Sequence, residues 1–221
     1  MIFEACKVFL IDQQKTPIFL FGRSFGGLLA TNMANDFLGK SMLTGVCLLT
    51  PYYRLWTEKL YDLQPLFKFA NYIAPYKLIK PEFKELEPEV QAKWGHIHDD
   101  PNCDHRFTPT TGVMWAKEQI RAKTSIQQTP VPLIVIEAVH DAVVRNDLIF
   151  EYAQLAHKQA EHQRAQKSKI ANKYVRVKDC DHTTVCFDAP AVKTVITETV
   201  SFFDRLIEEK NKGSLLFWSP L

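Results

Sequence analysis

The sequence predicts an α/β layered fold: a mostly parallel sheet flanked by helices, interrupted by a helical cap insertion. Three observations predict it. Four short runs read as strands: 17–22 (PIFLFG), 45–49 (GVCLL), 132–137 (PLIVIE) and 173–177 (KYVRV). The first three are nearly continuous apolar runs, which suits strands of a parallel sheet covered on both faces. Helical patterns follow them at 26–38, with Gly39 as a stop, at 147–163 and at 191–210. Finally, residues 50–129 separate two strands by far more chain than one crossover helix needs, so this connection must carry structure of its own.

Each part then takes a place. Residues 1–50 are core with the first strand–helix turn, 51–128 the cap, 129–212 core again, and 213–221 a tail. The first half of the cap is rich in aromatic residues, with helical spacing at Trp56, Leu60 and Leu63 and again at Leu66, Phe69 and Ile73. The stretch 157–173 (HKQAEHQRAQKSKIANK) is polar and basic and reads as a solvated helix end and loop.

A chain of 221 residues, 46% hydrophobic and 24% charged, can bury a sizeable core. A net charge of +2, spread along the chain with no basic stretch interleaved with aromatics, argues against a nucleic-acid partner. The five cysteines are odd in number and form no CxxC pair, and no leader pattern opens the chain, so a cytoplasmic location is expected. No apolar run approaches the roughly 20 residues of a spanning helix. Membrane contact, if made, is peripheral and through the cap.

The sharpest local signal is 22–27 (GRSFGG), which ends a strand pattern and opens a helix pattern. That context is what a nucleophile elbow requires: Ser24 sits on a strained turn, and glycines two residues before and after let the backbone fold back. The backbone N–H of Phe25, at the helix amino end, is placed to donate to an oxyanion. The bland alternative is a glycine-rich turn holding an inert serine. Serine needs a base held by a third group, in the chain order Ser, acid, His. Asp141 follows the strand PLIVIE, and His182 follows KYVRV, both in loops at carboxyl ends of strands. Asp181 is a rival acid, but adjacent loop residues rarely aim at one another, which favours Asp141.

The runs PIFLFGRSFGGLLA, LLTPYYRLW, DPNCDHRFTPTTGVMW, TPVPLIVIEAVHDAVV and DCDHTTVCFDAP, in this order, resemble the monoacylglycerol lipase and lysophospholipase branch of the α/β-hydrolase superfamily, close to the serine aminopeptidase-type hydrolases. The resemblance implies a serine hydrolase acting on lipid-like carboxylic esters, monoglycerides or lysophospholipids, without metal or organic cofactor. It implies Ser24 as nucleophile, Asp141 as acid and His182 as base. Tyr52, Tyr53 and Trp56, at the start of the cap, are the candidates for substrate contact. The aromatic cap residues either pack the cap onto the body or line an acyl-chain path and rest on lipid. Two departures stand out. Arg23 and Phe25 occupy elbow positions where relatives often carry histidine and methionine, and the acid loop EAVHDAVV lacks the glycine that usually precedes the aspartate.

A larger departure is at the start. Relatives reach the elbow after about four strands, including a loop that supplies a second oxyanion donor, whereas here residues 1–14 correspond only to the helix before the nucleophile strand. The expectation is a partial α/β-hydrolase fold whose first strand lacks a neighbour. An incomplete sequence, a partner chain completing the sheet, and an impaired hydrolase kept as a structural subunit all fit, and the first is preferred. The cluster HIHDDPNCDH (His96, His98, Asp99, Asp100, Cys103, Asp104, His105) mixes ligand types at spacings that fit no zinc pattern, so it reads as a polar cap loop.

Overall fold

The computed structural model describes residues 16–36, 42–54, 64–78, 108–164 and 172–212. The expectations placed on residues 1–14, on Trp56 and on the 96–105 cluster lie outside them. The chain forms two compact units, Met1–Glu58 with Glu118–Leu221, and Lys59–Lys117.

The first unit is built on a parallel sheet of β1 (Phe19–Arg23), β2 (Gly45–Leu49), β3 (Leu133–Ala138) and β4 (Lys173–Val177), in that spatial order. Every residue of β2 and β3 is buried, which explains why these two strands read as nearly continuous apolar runs, broken only by Glu137, which Tyr174 and Arg176 of the neighbouring strand meet. The end strands β1 and β4 are only partly covered, and there polar and charged residues enter (Arg23, Lys173, Arg176). Side chains alternate between two cores. Val46, Leu48, Leu133 and Val135 meet Leu28 and Ala34 of helix α1 (Phe25–Asn35) and Ile149 of helix α4 (Asn146–Arg164). Cys47, Leu49, Ile134 and Ile136 meet Phe202 and Leu206 of helix α5 (Ala189–Asn211) on the other face. The sheet is therefore covered on both sides, as expected of an α/β fold.

Helix α1 stops at Asn35, short of the expected residue 38, because Asp36 already has extended backbone (φ −68°, ψ 155°). Helix α5 begins behind extended Asp188 with Pro190 at its second position, where a missing N–H leaves no intrahelical bond unmade. Helix α3 (Pro109–Gln128) leads into β3. In the second unit, helix α2 (Gln64–Ile73) is followed by a turn that Thr110 holds: its hydroxyl donates to Asn71 Oδ1 at 2.7 Å and Pro75 O at 2.9 Å. Leu66, Phe69, Ile73 and Tyr76, spaced three or four apart, are more than half exposed. No described helix is long and apolar enough to cross a membrane.

Candidate active site

The parallel register brings the carboxyl ends of the strands level, and the ladder continues past them into the loops. Ser24 N–H donates to Leu49 O at 3.0 Å, Thr50 N–H to Ile136 O at 2.8 Å, Val139 N–H to Val177 O at 3.0 Å, and His140 N–H to Cys180 O at 3.1 Å. The last bond stitches the loop after β3 to the loop after β4, so Asp141 and His182 emerge one and two residues beyond a shared anchor. That is how residues distant in sequence reach one edge of the sheet.

Ser24 links β1 directly to α1 with φ 50°, a left-handed conformation that a non-glycine residue adopts only under constraint. The constraint is visible. Ser24 O accepts from Gly27 N–H at 2.9 Å, Leu28 N–H at 3.2 Å and Tyr52 N–H at 2.8 Å. A methyl group at Gly22 would lie 2.4 Å from Gly26 O, and one at Gly27 would lie 2.9 Å from Pro51 Cα, whereas one at Gly26 would meet nothing within 4 Å. The crowded glycines are thus 22 and 27, not the symmetric pair 22 and 26 read from the motif. Phe25 is the first residue of α1, so its N–H belongs to the helix's positive amino end.

His182 joins the other two groups. Its Nε2 lies 3.0 Å from Ser24 Oγ and its Nδ1 lies 2.7 Å from Asp141 Oδ2. Asp141 is buried, and its other oxygen accepts Val143 N–H and Val144 N–H, each at 2.9 Å. The acid loop closes by Asp141 N–H donating to Ala138 O at 3.2 Å, with Asn146 Nδ2 donating to Ala138 O at 3.0 Å. No residue of this turn has positive φ, so the glycine missing from EAVHDAVV is not needed. The rival Asp181 is turned the other way: its Oδ1 accepts from Thr183 N–H, Thr184 N–H and the Thr184 hydroxyl at 2.8, 2.7 and 3.0 Å, closing the base loop on itself.

The order strand, strained serine, helix, acid loop, base loop decides the kinship together with the sequence. Residues 4–174 match the model of the serine aminopeptidase, S33, family, a span that holds Ser24 and Asp141. The chain belongs to this family of hydrolases. Among solved structures, the S33-type chain is similar to the Paleococcus ferrophilus monoacylglycerol lipase, at 16% identity and a TM-score of 0.63, covering 94% of this chain and 74% of that one. It is also similar to a soluble variant of the Saccharomyces cerevisiae monoglyceride lipase in complex with a substrate analogue, at 15% identity and a TM-score of 0.65, covering 92% and 65%. A lipase in an open form matches at 14% identity and a TM-score of 0.66, covering 93% and 70%. These likenesses establish the α/β-hydrolase fold, and the hydrolase chain spans only 65% to 74% of the three structures. Comparison with curated proteins returns no match.

Of the substrate-contact candidates in this hydrolase, Tyr52 is buried beside the elbow, its ring edge-on to Phe25 with centroids 6.0 Å apart, and it belongs to the same core as Tyr53. Tyr53 is more buried still. It is a core residue, hydrogen-bonded to Thr31 Oγ1 at 3.0 Å and packed on Tyr152 with ring centroids 4.2 Å apart, and burial pushes its hydroxyl pKa far up. Its aromatic neighbours in sequence gave no way to tell a lining ring from a packed one. The sequence marked Arg23 only as a departure within the elbow and gave it no role; its Nη2 donates to His182 O at 2.8 Å. The signal was the charge itself, in the middle of an elbow. Among the described residues no cluster of three or more His, Cys, Asp or Glu is arranged to hold a metal ion.

Proposed function

We propose that this chain is a serine ester hydrolase that cleaves lipid-like carboxylic esters, monoglycerides or lysophospholipids, through an acyl-enzyme on Ser24. The observation that carries the reading is the unbroken relay Ser24 Oγ, His182 Nε2, His182 Nδ1, Asp141 Oδ2, with separations of 3.0 and 2.7 Å. Ser24 Oγ attacks the ester carbonyl as its proton passes to His182 Nε2. Asp141 holds the tautomer with Nδ1–H toward itself and stabilises the imidazolium. The negative oxygen of the tetrahedral intermediate is met by the Phe25 N–H and the helix dipole behind it. The alcohol departs with the proton from His182, and water, activated by the same imidazole, releases the acid. No metal or organic cofactor takes part in these steps.

Two observations support the substrate class: the fold is shared with lipases named for monoglycerides, and α2 carries an exposed apolar stripe suited to an acyl chain or a lipid surface. A second reading, an impaired hydrolase serving as a structural subunit, is favoured by one observation. Among the described residues β1 pairs only with β2 and leaves Phe21 half exposed, an edge at which a preceding segment or a partner chain could add strands.

A fluorophosphonate probe separates the two. The expected result is stoichiometric labelling of the wild-type chain at Ser24, abolished by Ser24→Ala, with release of fatty acid from a monoglyceride. A well-folded chain that takes no label favours the subunit.

A further inference from the structure

We propose that Arg23 is a positioning residue that clamps the base loop to the nucleophile elbow and so fixes the distance between Ser24 and His182; the inference rests on the serine-hydrolase reading above. Ser24 follows β1 and His182 follows β4, the two strands at opposite ends of the described sheet, separated by β2 and β3. Left to the strands alone, the nucleophile–base distance would absorb every relative motion of three strand pairs. Arg23 removes that dependence. It is the last residue of β1 and the chain neighbour of Ser24, and its guanidinium Nη2 donates to the main-chain carbonyl of His182 at 2.8 Å, across 159 residues. The positive charge of the same guanidinium also opposes the rise that burial imposes on the Cys186 thiol's pKa, four residues farther along that loop. One cation therefore holds the backbone of the base itself, and whatever moves the elbow carries the imidazole with it.

The loop is built to receive such a grip. Asp181 closes it internally through three short bonds to Thr183 and Thr184, and His140 N–H anchors it at Cys180 on the β3 side. The loop is thus a small rigid body attached on one side, and Arg23 supplies the other. Fold stability does not account for an arginine here. Its Nε is buried with no hydrogen-bond partner among the described residues, and an orphaned buried donor is unfavourable. Glutamine, which lacks the fixed guanidinium Nε–H and ends two bonds short of Nη2, would avoid that penalty while withdrawing the donor from the His182 carbonyl.

This separates positioning from scaffolding in one experiment. The rate of fluorophosphonate labelling at Ser24, kcat and KM for a short-chain p-nitrophenyl ester, and the thermal midpoint are measured for wild type, Arg23→Gln and Arg23→Lys. In Arg23→Gln we expect labelling rate and kcat to fall on the order of 10- to 100-fold, KM to stay within about twofold, and the midpoint to stay level or rise. Arg23→Lys, which keeps a cationic donor, should recover part of the loss. Arg23→Gln that labels at the wild-type rate, or a loss that tracks a falling midpoint with no recovery in Arg23→Lys, overturns the positioning role. A wild-type chain that takes no label at Ser24 overturns the parent reading instead.

Discussion

At Asp141 one carboxylate serves two purposes through separate oxygens. Oδ1 closes the loop by accepting Val143 and Val144 N–H, and Oδ2 faces His182 Nδ1. Asp141→Asn can therefore keep the loop, with its amide oxygen in place of Oδ1, while presenting an NH2 to the imidazole and forcing the wrong tautomer. We expect kcat to drop on the order of 10⁴-fold with little change in thermal midpoint, as judged by ester hydrolysis beside a melting curve. Equal kcat in both proteins would remove Asp141 from the proposed mechanism. The three groups of this relay were legible in the sequence because each lies just past an apolar strand pattern, and their chain order is restrictive. What was illegible is direction. Nothing in TPYYRLW says that the Tyr53 ring turns into the core toward Thr31 and Tyr152, and nothing in GRSFGG says that Arg23 reaches across the sheet end to the His182 carbonyl. Both depend on contacts with segments more than twenty residues away.

The elbow, as an element, shows how a motif can be right while its explanation needs adjustment. Gly22 is crowded by Gly26 O and Ala30 Cβ, which would lie 2.4 and 2.7 Å from an added methyl, and neither can move without unwinding the start of α1. Gly26 has open space around it. The two glycines of the pattern should therefore respond oppositely to alanine. Gly22→Ala is expected to destabilise by about 1–3 kcal/mol or more through overpacking and to disturb Ser24. Gly26→Ala, within the first turn of the helix, should be neutral or stabilising by about 0.5 kcal/mol. Urea titrations of the two variants against wild type check the pair, and similar losses in both would count against the strand–helix packing described here. The strands were read nearly to the residue because β2 and β3, buried along their whole length, are apolar at every position but Glu137, whose carboxylate is paired with Tyr174 and Arg176 of β4. The end of α1 was misjudged because Gly39 offered a stop in the sequence, whereas the backbone turns extended at Asp36 without a glycine.

For the whole molecule, the first unit is closed by contacts between its beginning and its end: Phe19 of β1 stacks on Phe203 of α5 with ring centroids 4.1 Å apart, and Cys47 of β2 meets Thr199 of α5 with Sγ and Oγ1 3.4 Å apart. No local sequence pattern announces such closure, which is why the sheet was legible strand by strand while the pairing of Cys47 with α5 was not. The closure has a measurable consequence at alkaline pH. Burial pushes the Cys47 thiol from an ordinary value of 9.0 up to about 11. Below pH 9 the thiol is protonated in both folded and unfolded chains, and its contribution to stability is fully present. Between pH 9 and 11 the unfolded chain releases the proton and the native core does not, so the unfolded state gains and stability falls, by roughly 2–3 kcal/mol for this one group. Cys180, also pushed up to about 11 by burial, and Tyr53, raised by burial too, bend the curve the same way. The term belonging to Cys47 is isolated by subtraction: urea midpoints measured from pH 8 to 10.5 should decline more steeply for wild type than for Cys47→Ala, so that the gap between the two proteins narrows as pH rises. Parallel curves would mean that the thiol titrates alike in both states, and that β2 is not sealed against α5.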